Sequence, residues 1–106
     1  MTPDEAKTLR STEEWYTPEI NQETYKRIRV SLAALAYEEY DDPIMSDAEF
    51  DKLARSIDLT VDTRREDLDK WFRENFKPNT GSWVHLHPDL QKLRYILENL
   101  FYKEKE

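Results

Sequence analysis

Apolar residues recur at helical spacing through most of this chain, and proline and capping residues punctuate the recurrence. Tyr25, Ile28, Leu32, Leu35 and the Tyr37 to Tyr40 stretch share one spacing, with no Gly or Pro between Glu19 and Tyr40. Thr17-Pro18-Glu19 supplies a cap, a proline at the first helical position and an acid in the first turn, so the strongest predicted helix begins there. Asp41-Asp42-Pro43 ends it, because the residue before a proline is pushed out of the α region. Thr2-Pro3-Asp4-Glu5 carries the same start signal and predicts a short helix over about Pro3–Arg10.

Two capping boxes follow. Ser46-Asp47-Ala48-Glu49 opens a helix to about Ile57, with Phe50, Leu53, Ala54 and Ile57 on one face. Thr63-Arg64-Arg65-Glu66 opens another, which carries Leu68, Trp71, Phe72 and Phe76 and stops before Pro78. Lys77–His85 reads as a loop holding the only glycine, Gly81. Pro88 opens a last helix whose apolar face is Leu90, Leu93, Leu97, Leu100 and Phe101.

The pattern predicts a single all-α domain of four to five helices across residues 1–106, with a helix-turn-helix hairpin around residues 18–57. Its expected core is Ile28, Leu32, Leu35, Phe50, Leu53, Leu68, Trp71, Phe72, Leu93, Leu97 and Leu100, with Phe76 and Trp83 beside them. Residues 1–16 read as an N-terminal arm whose Trp15 and Tyr16 cover that core, and residues 103–106 as a frayed tail.

Composition narrows the function. A single glycine excludes the phosphate-cradling loops, which need several for positive φ and close backbone approach. The absence of cysteine excludes disulfides and thiolate metal sites and fits a reducing compartment. No apolar run approaches the roughly 20 residues of a membrane span, and the N-terminus lacks a signal-peptide pattern, so a cytoplasmic protein without membrane contact is expected.

Charge changes the picture most. Net charge is −7, from 23 acids and 16 bases. Tyr37–Asp51 holds seven of those acids and no base, namely Glu38, Glu39, Asp41, Asp42, Asp47, Glu49 and Asp51, so the rest of the chain is balanced. Any one of these residues is an ordinary cap or turn acid. As a cluster they repel one another unless a partner uses them. The pattern points to a protein partner with a basic surface, engaged through those seven residues. The expected role is a non-catalytic inhibitor or regulator docked on a nucleic-acid-handling complex, in the manner of small acidic phage and mobile-element proteins that block CRISPR or restriction complexes by mimicking DNA. Direct nucleic-acid binding is disfavoured, because phosphates repel an acidic protein.

The same stretch carries a second pattern. Tyr37, Asp42-Pro43 and Ser46-Asp47-Ala48-Glu49-Phe50-Asp51-Lys52-Leu53 resemble the N-terminal helical subdomain of bacterial NAD-dependent DNA ligases, over about residues 25–53. That family shows a Tyr-His pair, a short turn with Pro, then Asp-x-x-Tyr-Asp-x-Leu. The resemblance implies a module binding nicotinamide mononucleotide (NMN) or NAD, with Tyr37, Asp47 and Asp51 at the nucleotide. Here Glu38 stands where the family has His, and Phe50 where it has Tyr. The adenylation motif Lys-x-Asp-Gly is absent, so ligase chemistry is not implied.

Other constellations carry less. His85-x-His87 would share a metal on a strand, but lacks a clear third ligand and precedes Pro88, where His87 can cap the last helix. The basic run Lys26, Arg27, Arg29 is offset by nearby acids. No Ser or Thr sits in a nucleophile motif, and solvated acids do little acid–base work, so no catalytic residue, metal or resident cofactor is expected.

Overall fold

The computed structural model describes residues 17–102. Among them stand four α-helices and no strand, an all-α arrangement: α1, Pro18–Glu38; α2, Asp47–Ser56; α3, Glu66–Asn75; and α4, Leu90–Ile96. A 3₁₀ turn, Ser82–Leu86, bridges α3 and α4, and α4 continues as a π-helical turn over Leu97–Phe101. The helix expected over Pro3–Arg10, the Trp15–Tyr16 cover and the Lys103–Glu106 tail lie outside the described residues.

α1 is the centre of the structure. Thr17 Oγ1 accepts the Ile20 N–H at 3.3 Å, and Pro18 occupies the first turn, where its missing N–H has no cost. Val30 through Ala36 are all buried, so this stretch of helix is surrounded by the other elements. The helix ends at Glu38, two residues before the expected Tyr40. Asp41 takes a left-handed φ of 50°, and the Asp42 N–H reaches back to the Ala36 carbonyl at 3.1 Å.

Leu32, Leu35, Phe72, Leu93 and Leu97 are buried as expected, joined by Val30, Ala34, Ala36, Ala54, Phe76, Trp83 and Val84. Phe50, Leu53 and Trp71 are half-buried against them. Three expected core residues are not core. Leu68 is half-buried beside a cavity that Thr24, Thr63 and Lys92 also line. Ile28 is 44% exposed on the rim of a cleft between α1, α3 and α4. Leu100 is 73% exposed, because the wider π turn (Tyr102 N–H to Leu97 C=O, 2.8 Å) rotates Phe101 and Tyr102 inward in its place.

The segment expected to be a plain loop contains the 3₁₀ turn, which buries Trp83 and Val84. Trp83 packs edge-on against Phe76 with ring centres 5.0 Å apart, and its Nε1 donates to the Thr80 carbonyl at 2.6 Å. Gly81 lets this loop approach α1 closely: a Cβ there would stand 3.1 Å from the Ala34 Cβ.

The core also holds charge that the hydrophobic pattern hides. Arg27, expected in a surface basic run, is 5% exposed. Its Nε donates to Glu23 at 3.1 Å, one terminal nitrogen to Asp69 at 2.6 Å, and the other to the carbonyls of Asp58 and Val61 at 2.9 and 3.2 Å. Its guanidinium lies 5.5 Å from the centre of the Phe72 ring. Glu23 also accepts the Asp58 N–H at 2.8 Å. Asp69 accepts both the N–H and the hydroxyl of Thr63, at 2.9 and 2.5 Å. Thr63 is therefore not the cap of α3. That helix starts after Arg65 with no side-chain cap, because Asp69 claims the Thr63 hydroxyl.

Removing one member of a buried ion network leaves a charge stranded, at a cost of about 3–5 kcal/mol. Arg27→Met is expected to lose that much in urea unfolding. Arg27→Met with Asp69→Asn is expected to be more stable than Arg27→Met alone, since the second change removes a stranded carboxylate.

Candidate functional site

The acidic stretch folds as the end of α1, a turn, and the start of α2. Ser46 Oγ accepts the Glu49 N–H at 3.1 Å, the cap read from sequence, and the Glu49 carboxylate reaches back to the Ser46 hydroxyl at 3.1 Å where a capping box would take the Ser46 N–H. This fixes the first turn of α2, which lines a cleft of about 260 Å³ with the last turns of α1. Ala33 and Ala34 form its floor, Tyr37 and Glu38 one wall, and Asp47 and Phe50 the other. Pro43 and Met45 of the turn and the Asn79–Gly81 loop complete it. The cleft exists because α1 places alanines, not large residues, opposite α2.

Glu38 is half-buried, and its carboxylate stands 4.0 Å from His85 Nε2. Tyr37 is 59% exposed, so its ring forms an accessible wall. The cleft thus combines two aromatic rings, a thioether and two carboxylates. That set suits a flat, positively charged ring: aromatic faces attract cations, and carboxylates neutralise them.

The other acids of the stretch are placed differently. The Glu39 carboxylate accepts from Arg94 Nε at 3.0 Å through both oxygens, and this bond holds the Arg94 guanidinium pKa above its ordinary value. Asp51 accepts from Arg55 at 2.9 Å and does not line the cleft. Asp41 and Asp47 are exposed and form no ion pair among the described residues. Of the residues that the ligase resemblance implies, the cleft therefore gathers Tyr37 and Asp47, along with the two departures, Glu38 and Phe50.

The turn is clamped from the far side by the end of α4. Tyr102 donates its hydroxyl to the Asp42 carbonyl at 2.7 Å, and Tyr40 donates to Glu98 at 2.8 Å. The two rings meet at 5.3 Å. Both phenols are pushed up to about 12. Burial is the first cause for each, followed by the Glu98 carboxylate for Tyr40 and Asp42 for Tyr102. Sequence reading missed this clamp and the Asn79–Gly81 wall; the lone glycine was the one signal for the latter.

His85 and His87 do not form a shared site. They lie at the end of the 3₁₀ turn, not on a strand, and His85 faces Glu38. His87 sits against Trp71 and Phe72, with ring centres 4.9 and 5.8 Å away, and its Nδ1 accepts the Asp89 N–H at 3.0 Å. That bond closes the turn ahead of α4, which begins after Asp89 with no side-chain cap, so His87 does not cap the last helix. No group of three or more His, Asp or Glu among the described residues is arranged to hold a metal ion. No helix among them is long and apolar enough to cross a membrane. Comparisons of the chain with models of protein families, with curated proteins and with solved structures found no match.

Burial holds the His87 imidazole below its ordinary pKa of 6.5. The folded state keeps it neutral, so unfolding takes up a proton once the pH drops below 6.5. Its effect on stability is therefore flat above that pH and turns unfavourable as the pH falls through it. His87→Asn is expected to lose this part of the decline. Urea midpoints at pH 7.5 and pH 5 should differ less for the variant than for the parent protein.

Proposed function

We propose that the protein is a non-catalytic binding module and that its cleft takes a flat, cationic heteroaromatic ring of the nicotinamide-nucleotide type. The observation that carries this reading is the convergence of Tyr37, Glu38, Asp47 and Phe50 on one cleft of about 260 Å³. The volume is just below the usual range of roughly 300–1,000 Å³ for ligand pockets, which suits one ring and a sugar. Glu38, a departure from the ligase pattern, adds negative charge where a pyridinium ring carries its positive one. The ligase resemblance of the same residues supports the same ligand class. Asp51, turned to Arg55, has no direct part in this reading.

A second reading rests on charge segregation: all of the net charge of −7 lies in Tyr37–Asp51, and Asp41, Asp47 and Glu49 are exposed around the turn. In it, the turn docks on the basic surface of a nucleic-acid-handling complex and competes with DNA, as anti-CRISPR or anti-restriction proteins do. Glu39 and Asp51 already meet arginines within the chain, and Glu38 and Asp47 line the cleft, so fewer acids face a partner than the count suggests.

Titration of nicotinamide riboside into ¹⁵N-labelled protein is expected to shift the amides of Tyr37, Asp47, Phe50 and Gly81. Asp47→Asn should weaken binding about tenfold, the effect of losing roughly 1.4 kcal/mol. Unmoved amides at millimolar riboside would remove the first reading. For the second, the protein is expected to slow DNA binding by a purified CRISPR effector or restriction enzyme at low salt, and Asp41→Asn with Glu49→Gln should lessen the effect. Lack of inhibition by the parent protein at low salt would rule out that mode of action on the complex tested.

A further inference from the structure

The cavity beside Ile28 and Leu68 has a volume of about 190 Å³ and shares no lining residue with the first cleft. Its apolar walls are Ile28 of α1, Leu68 and Phe72 of α3, and Leu93 and Ile96 of α4. Three of these side chains are left uncovered by the described residues: Ile28 is 44% exposed, and Leu68 and Ile96 are half-buried. Ile28 and Leu68 stand at helical spacing with true core residues, so three helices bring core-type side chains to a space that none of them fills. Leaving such surface to water is unfavourable.

Most polar groups around the cavity are engaged within the protein. Arg27 meets Glu23 and Asp69, the Thr63 hydroxyl meets Asp69, and Arg65 meets Asp67 and Asp89 at 3.2 and 3.7 Å. Three are not. Lys92, at an exposed position, forms no ion pair among the described residues, and the Thr24 hydroxyl forms no hydrogen bond with any of them. The His87 ring accepts the Asp89 N–H at Nδ1, so its own proton sits on Nε2, which donates to no described residue. Thr24 and Ile28 stand four residues apart on α1, as do Lys92 and Ile96 on α4. Each helix therefore offers the cavity a polar group one turn from an apolar one.

We infer that this cavity binds a short-chain aliphatic carboxylate, its hydrocarbon chain against Ile28, Leu68, Leu93 and Ile96 and its head group met by Lys92, Thr24 and His87. The uncommitted groups are all able to donate, so the head group must accept, and a carboxylate is an acceptor at every lone pair. One unpaired ammonium matches a single negative charge. The one carboxylate lining the cavity, Asp89, already faces Arg65, which leaves no counterpart for a cationic ligand. The volume lies below the roughly 300 Å³ at which drug-sized pockets begin, so the chain is short. The inference draws nothing from the reading of the first cleft.

The test is an amide-shift titration of ¹⁵N-labelled protein with butanoate, hexanoate and octanoate. The amides of Thr24, Ile28, Leu68 and Lys92 are expected to move. Affinity is expected to rise roughly fourfold per added methylene until the cavity is full. Lys92→Gln should weaken hexanoate about threefold, the effect of one exposed ion pair, and leave 1-hexanol unchanged. Ile28→Glu, at an exposed position, should abolish hexanoate binding while the helical circular dichroism holds. Unmoved amides at millimolar octanoate would overturn the cavity as a ligand site. Hexylamine binding as tightly as hexanoate would overturn the carboxylate assignment. In the ligand-free protein, shifts of the same amides that grow with protein concentration would overturn it in favour of a second copy of the chain. Overhauser contacts from Trp15 or Tyr16 to Ile28 would overturn it in favour of the chain's own N-terminal segment.

Discussion

The Glu23–Arg27–Asp69 network is the constraint on which the arrangement of helices depends. Arg27 projects from α1, yet its partners lie on three different parts of the chain: its own helix, the connection after α2, and α3. The residues between α2 and α3 pack Ile57 and Leu59 against the core. They are also held through backbone groups, with Asp58 and Val61 offering carbonyls to Arg27, and Asp58 and Thr63 offering N–H groups to Glu23 and Asp69. Two carboxylates and one guanidinium in a dry core are unfavourable unless every group finds a partner. No buried side-chain nitrogen or oxygen among the described residues lacks one. The network therefore selects one geometry for the connection, where hydrophobic packing alone would tolerate several.

That choice reaches the cleft. The last turns of α1 form one wall of it, and the start of α2 forms another. α2 is fixed at its start by the Ser46 cap and at its end by the bonds of Asp58 to Glu23 and Arg27. The acidic turn between the helices is held separately, by Tyr102 on the Asp42 carbonyl and by Arg94 on Glu39. The like charges of the turn are thus kept together by bonds made outside the cleft, which leaves Glu38 and Asp47 to face into it. The strained φ of Asp41 belongs to the same device, since it directs the chain from α1 back across the Ala36 carbonyl.

Much of this fold was legible in the sequence because periodicity and capping are local. The start of α1 at Thr17-Pro18, the Ser46 cap and the apolar positions Leu32, Leu35, Phe72, Leu93 and Leu97 all follow from neighbours within one or two turns. Non-local competition was not legible. Thr63 looked like a cap, but Asp69 offered its hydroxyl a better partner six residues away. Arg27 looked like one of three surface cations, and only the fold shows that it alone points inward. Leu100 fitted the helical period until the π turn broke it. The candidate site was legible in part: the acidic stretch pointed to Tyr37, Glu38 and Asp47, but the wall from Asn79 to Gly81 is some forty residues away in sequence, and no local pattern announces it.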